Sequence, residues 1–174
     1  KYLYMAEVGF AVLDISNPAN ITLIYTSVRR ASFGYGTLIS LSASRDRKLL
    51  YLATGKGALE TYNVTIPSEP DLISRVSFSD STATSVFLSK YDSLAYVVGM
   101  SGKNIAVNVL DVSDPFEVKE VSKFTVPTTK YTSPIIQALS PRETKLYIIQ
   151  QRLITIDLLS MTVESNSENL VKNT

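Results

Sequence analysis

The chain has 174 residues, 45% hydrophobic and 19% charged, with a formal net charge of +1: a globular composition, long enough to bury a core. A charge so close to zero gives no global electrostatic case for nucleic acid or an anionic membrane as partner. Cysteine, histidine and tryptophan are absent, which excludes disulfide staples, the usual zinc, copper and haem ligands, and Ser–His or Cys–His nucleophilic catalysis.

The elements in chain order follow a phrase that occurs four times. It reads KYLYMAEVGFAVLDISNP at 1–18, KLLYLATGKGALETYNVTIP at 48–67, SLAYVVGMSGKNIAVNVLDVSDP at 93–115 and KLYIIQQRLITIDLLS at 145–160. Each copy is a β-rich run with an aromatic, a turn, a second β-rich run, and a polar stop. The aromatics Tyr4, Tyr51, Tyr96 and Tyr147 and the stops Asp14, Asn63, Asp111 and Asp157 recur every 45–51 residues, a period that marks an array of small sheets.

The units run from about 1–30, 31–79, 80–127 and 128–165, within one domain over 1–165 and a polar tail at 166–174. A complete unit has four strands, lettered A to D. The first unit lacks a visible A strand and starts at B. The second predicts strands at 37–43, 49–54, 58–64 and 71–78, and the third at 83–88, 94–99, 104–112 and 118–126. The fourth predicts 134–139, 145–150 and 153–158, with a weak strand at 161–165. β-branched and aromatic residues fill these runs, and Gly, Pro, Asn, Asp and Ser separate them. No stretch carries a helical period with caps. The fold class expected is all-β, a β-propeller-type array of about four four-stranded blades with the first incomplete. A β-sandwich is the alternative. The unpaired inner edge of the first unit is a template for another strand, and the tail SENLVKNT, in its own chain or a neighbour's, is the expected filler.

At GFAVLDISNPANITLI, GALETYNVTIPSEPDLIS and VNVLDVSDPFEVKEVS the chain resembles the LVIVD repeats. The match is good at Asp14–Pro18 and Asp111–Pro115, weaker at Tyr62–Val64, and weakest at Ile156–Leu158, where the Pro is missing. The resemblance implies propeller-like folds in secreted or surface proteins, and it supplies no catalytic residues.

Two sequons, Asn20-Ile21-Thr22 and Asn63-Val64-Thr65, fall at C–D connections and are the expected glycosylation sites. Asp14, Asp111 and Asp157 offer too few oxygens for a calcium loop and read instead as Asx-type turns before Pro. Glycosidase chemistry needs two facing carboxylates, and the innermost strands TLISLSA, ATSVFL and PIIQAL contain none; only Asp80 and Glu7 stand near the expected pocket mouth. Gly34-Tyr35-Gly36 lacks the spacing of a phosphate loop.

The D–A and B–C loops carry a basic, aromatic face: Arg29, Arg30, Phe33, Tyr35, Lys56, Lys103, Lys130, Tyr131 and Arg152. The opposite rim mixes signs. The function expected is a non-enzymatic extracellular or cell-surface module for protein interaction or structural assembly, including a filament joined by strand exchange. Its partners are another protein or copies of itself, with no cofactor, no metal, no nucleic acid and no membrane insertion. The alternatives are a lectin-like binder of anionic glycans, or part of a larger carbohydrate-active propeller. Lys1 opens inside a strand-like run, as in a mature or trimmed segment of a longer protein.

Overall fold

The structure is a computed structural model and describes residues 1–6, 9–27, 38–127, 136–140, 142, 144–149, 153–160 and 162–166. All fifteen regular elements among them are strands. The first sheet holds β1 (Tyr2–Ala6), β2 (Phe10–Asp14) and β3 (Thr22–Thr26). The second holds β4 (Leu38–Ala43), β5 (Leu49–Thr54), β6 (Ala58–Asn63) and β7 (Asp71–Ser77). In the third are β8 (Ser85–Leu88), β9 (Leu94–Ser101), β10 (Asn104–Asp111) and β11 (Lys119–Pro127). The fourth is built from β12 (Ile136–Leu139), β13 (Lys145–Ile149), β14 (Leu153–Asp157) and β15 (Thr162–Asn166). Each sheet is an antiparallel meander whose strands pair in chain order. This separates the fold from the sandwich alternative, in which two sheets would share all the strands. The expected strands lie within a few residues of these bounds, and the first sheet does begin at its B strand.

The middle strands are buried on both faces, so they read as near-continuous apolar runs such as LAYVV and NIAVNVL. The outermost strands are mostly exposed, and charged residues such as Lys119, Glu120 and Lys123 mark one of them, which discourages pairing with another chain.

Packing is face to face between successive sheets, in three cores. Phe10 and Val12 of the first sheet meet Leu50, Leu52 and Tyr62 of the second, with the Phe10 and Tyr62 rings edge-on at 4.8 Å. Tyr51, Ala53 and Leu59 meet Val86, Ala95, Val97 and Leu110. Val98, Ile105, Val107 and Val109 meet Leu146, Ile148, Ile154 and Ile156. No core among the described residues joins the fourth sheet to the first. Each fully buried Leu or Ile contributes about 1.5–3 kcal/mol, so these seams hold the array together.

Two features recur in every unit. The C–D pairing slips at Val12/Leu13, Thr61/Tyr62, Val109/Leu110 and Thr155/Ile156, always just before the polar stop. A bulge there adds twist to the outer strand. One residue after the stop, a backbone N–H ties back to the start of the B strand: Ile15 to Lys1, Val64 to Lys48, Val112 to Ser93 and Leu158 to Thr144, at 2.7–2.9 Å. The fourth unit, where the sequence resemblance is weakest, keeps both features.

Candidate functional site

The rim formed by the A–B turns and C–D connections is built by short polar side chains bonding their own backbone. Ser44, Ser89 and Ser140 occupy one position in three A–B turns. Their Oγ atoms accept the N–H of Leu49, Leu94 and Lys145 at 3.0, 3.0 and 3.1 Å. At the end of the C strands, Asp14 Oδ1 accepts Ser16 N–H (2.8 Å), Asn63 Oδ1 accepts Thr65 N–H (2.9 Å), Asp111 Oδ1 accepts Ser113 N–H (2.9 Å) and Asp157 Oδ1 accepts Ser160 N–H (2.7 Å). The four stops are Asx turns, and their oxygens are already used by the chain. Among the described residues no group of three or more acidic side chains is arranged to hold a metal ion.

These bonds favour the ionised carboxylate. Asp14 and Asp111 are held below the usual carboxylate range chiefly by the hydroxyls of Ser16 and Ser113, and Asp157 chiefly by the Ser160 N–H. A folded pKa below the unfolded value of about 4 gives stability that is present above that value and lost as pH falls through the folded one. The urea midpoint should therefore stay level from neutrality to about pH 5 and drop below about pH 4. Replacing Asp14, Asp111 and Asp157 with Asn, the residue the second unit already uses, should flatten that drop. An acid limb as steep in the triple variant as in the parent would overturn this account.

Both sequons lie on this rim. Asn20 is exposed in the β2–β3 connection. Asn63, half-buried, ends β6, and its Oδ1 also accepts the Thr65 hydroxyl at 2.7 Å. The Nδ2 atoms, where a glycan would be attached, make no hydrogen bond to described residues.

On the opposite rim, Lys56 and Lys103 are exposed in the B–C turns of the second and third units. The other members of the expected basic face, Arg29, Arg30, Phe33, Tyr35, Lys130, Tyr131 and Arg152, lie outside the described residues, as do Glu7 and the tail from 167 onward. Asp80 is exposed beside the third A strand.

The innermost strands converge on an axis. Ser85 Oγ donates to Gln137 Oε1 at 2.8 Å, and Val86 N–H donates to Ser40 Oγ at 3.3 Å. These contacts join β4, β8 and β12 with neutral groups, and no Asp or Glu stands on them. Burial pushes the Tyr51 phenol up to about 12, so it stays protonated at neutral pH. The sequence reading passed over one carboxylate, Glu60, which is fully buried on β6. It faces the first seam, 3.8 Å from the Arg75 guanidinium, and its Oε2 accepts the Tyr62 hydroxyl at 3.3 Å. The alternation in ALETYN places Glu60 on the face of Tyr62, and Arg75 stands directly opposite on β7. It has a cation beside it rather than a second carboxylate.

The two ends of the array differ from its interior. On the first sheet, Leu3, Met5, Ala11, Leu13 and Leu23 share the face turned away from the second, and Leu3, Met5 and Leu23 are 46%, 47% and 59% exposed. On the fourth, Tyr147, Ile149 and Leu153 share the face turned away from the third.

Serial meanders of three and four strands, stacked face to face around converging inner strands, define a β-propeller, and solved propellers superpose on the chain. The periplasmic gluconolactonase of Pseudomonas aeruginosa matches at TM-score 0.70 and 15% identity, over 94% of this chain and 52% of that one. A protein from Lactobacillus plantarum matches at 0.72 and 14%, over 95% and 53%. A chain of the mitotic checkpoint complex matches at 0.67 and 12%, over 95% and 47%. The chain thus spans about half the length of these structures, and at such identities the likeness is one of fold. Residues 1–27, the whole described first sheet, match the LVIVD repeat. Among curated proteins, none matches the chain by sequence.

Proposed function

We propose that the chain is a non-enzymatic interaction and assembly module of the cell exterior, which joins copies of itself through its end faces. The observation that carries this reading is the uncovered apolar face of the first sheet. Inside the chain, each such face is closed by the next sheet. Leu3, Met5 and Leu23 offer the same chemistry with no described sheet packed on them, and apolar patches of this kind mark interaction sites. A second copy, presenting Tyr147, Ile149 and Leu153, would complete a seam like the other three. Two copies would also approach the length of the propellers that this chain half covers. The inner edge of β1, on which no described strand pairs, would be shielded in the same assembly. The two sequons on one rim support the exterior location.

The test is the native mass by light scattering, before and after enzymatic N-glycan removal. The expected result is a mass at least twice 19.2 kDa that falls when glycans are removed. A Leu3→Lys, Leu23→Lys variant should return the protein to a single chain with an unchanged far-ultraviolet circular dichroism spectrum. A parent that is already a single chain would overturn the assembly reading, and a mass indifferent to glycan removal would overturn the glycan argument.

A further inference from the structure

We propose that the seam between the first two sheets binds a small anionic saccharide. A cavity of about 550 Å³ opens there on the rim, and its lining includes Lys1, Tyr2, Tyr4, Arg47, Lys48 and Thr65. Among the described residues, three cations and three hydroxyls face one space, and no carboxylate lines it. Val64 and Pro67 complete the wall. Two tyrosines give apolar ring faces with polar tips, which suits a pyranose. The Lys and Arg side chains suit a sulfate or carboxylate carried on it.

Comparison between units shows that this chemistry is particular to the first seam. Arg47 takes the A–B position that Asp92 takes in the next unit. Each has a positive φ, 61° and 54°, and each donates its N–H to the turn serine's carbonyl at 2.9 Å. Ile66 takes the C–D position of Asn17 and Asp114, since all three carbonyls accept the N–H three residues on. Asn63 takes the position of Asp14, Asp111 and Asp157. At each of these three positions the third unit has an acid, and the second has a neutral or cationic residue.

The nearby acids are engaged elsewhere. Asp46 Oδ1 accepts the Ser44 hydroxyl and the Lys48 N–H at 2.7 and 3.0 Å, and Asp14 is held in its own turn. Arg47 and Lys48 form no ion pair with a described residue. Beyond Thr65 lies a smaller cleft of about 320 Å³ that contains Glu69 and Asp71. A bound saccharide would therefore turn its charge toward Arg47 and Lys48, away from that cleft. Asn63 lines that neighbouring cleft, so the test uses protein made without glycosylation, which keeps a glycan there from acting on the result.

The experiment is isothermal titration with a sulfated disaccharide, its unsulfated parent and inorganic sulfate, all at one ionic strength. The sulfated disaccharide should bind at least tenfold tighter than either comparison ligand. Arg47→Glu with Lys48→Glu should weaken it at least tenfold, with the thermal unfolding midpoint unchanged. Tyr2→Ala should weaken the disaccharide while leaving sulfate alone. Equal binding of inorganic sulfate would reduce the site to a counterion patch, and no binding, or binding indifferent to the charge reversal, would also overturn the proposal.

Discussion

Gly57→Ala should be among the most damaging single substitutions in this chain, costing about 3–5 kcal/mol. Gly57 sits at φ +74° in the turn between β5 and β6, and an added Cβ would lie 1.6 Å from the Ser81 carbonyl oxygen. Its own carbonyl accepts the Phe78 N–H at 2.7 Å, so the connection to the third sheet is pressed against this turn. Phe78 and Ala83, which flank Ser81, belong to the second core. A Cβ would therefore push apart the segment that links two sheets, in addition to the left-handed backbone penalty. Gly102 is the internal control: its φ is +57°, yet a methyl group there would meet nothing within 4 Å. Gly102→Ala should cost only the backbone term, about 1–2 kcal/mol. Urea unfolding of the two variants separates the effects, and equal losses would show that the close approach of Ser81 is not what constrains Gly57.

Arg75→Ala should cost about 3–5 kcal/mol, because it strands a buried carboxylate. Glu60 has no exposed surface, and the Arg75 side chain beside it is only 27% exposed. Replacing both with apolar residues, as Glu60→Leu with Arg75→Met, should recover most of that loss, since a buried pair exchanged for packed side chains is often neutral or stabilising. A double-mutant cycle measures the coupling. If Arg75→Ala costs less than about 1 kcal/mol, the guanidinium does not compensate the carboxylate.

What the sequence made legible was whatever repeats locally. Strand spacing, the polar stops and the missing first A strand were all readable, because a period of two and a turn are encoded within a few neighbours. The aspartates could be read as turn formers because the residue two positions on supplies the donor. Glu60 was in plain view within a strand, but alternation says only which side chains share a face. It does not say that the face meets Phe10 and Val12 from the first sheet. The bulge before each stop was missed because it is set by the pairing of two strands, and no residue type announces it. The cavity at Arg47 and Lys48 was missed for a related reason. It joins Tyr2 and Tyr4 to side chains more than forty residues away, on a rim that was read only as mixed in charge. The expected basic face was assembled from loop membership alone, and only Lys56 and Lys103 of it fall among the described residues.

The strict chain order of the strands also bears on how the protein is made. Each described sheet takes its strands from one stretch of chain, so it is complete once its own 25–43 residues, first strand to last, have emerged. At a synthesis rate of about 5–20 residues per second, that is one unit every few seconds, slower than most local hairpins form. Each new sheet then meets an apolar face already presented by its predecessor, and the array grows in the direction of translation. None of the described sheets that follow covers the outer face of the first, where Leu3 and Leu23 are exposed. During synthesis an apolar surface of that kind is one that a chaperone or a neighbouring copy can shield.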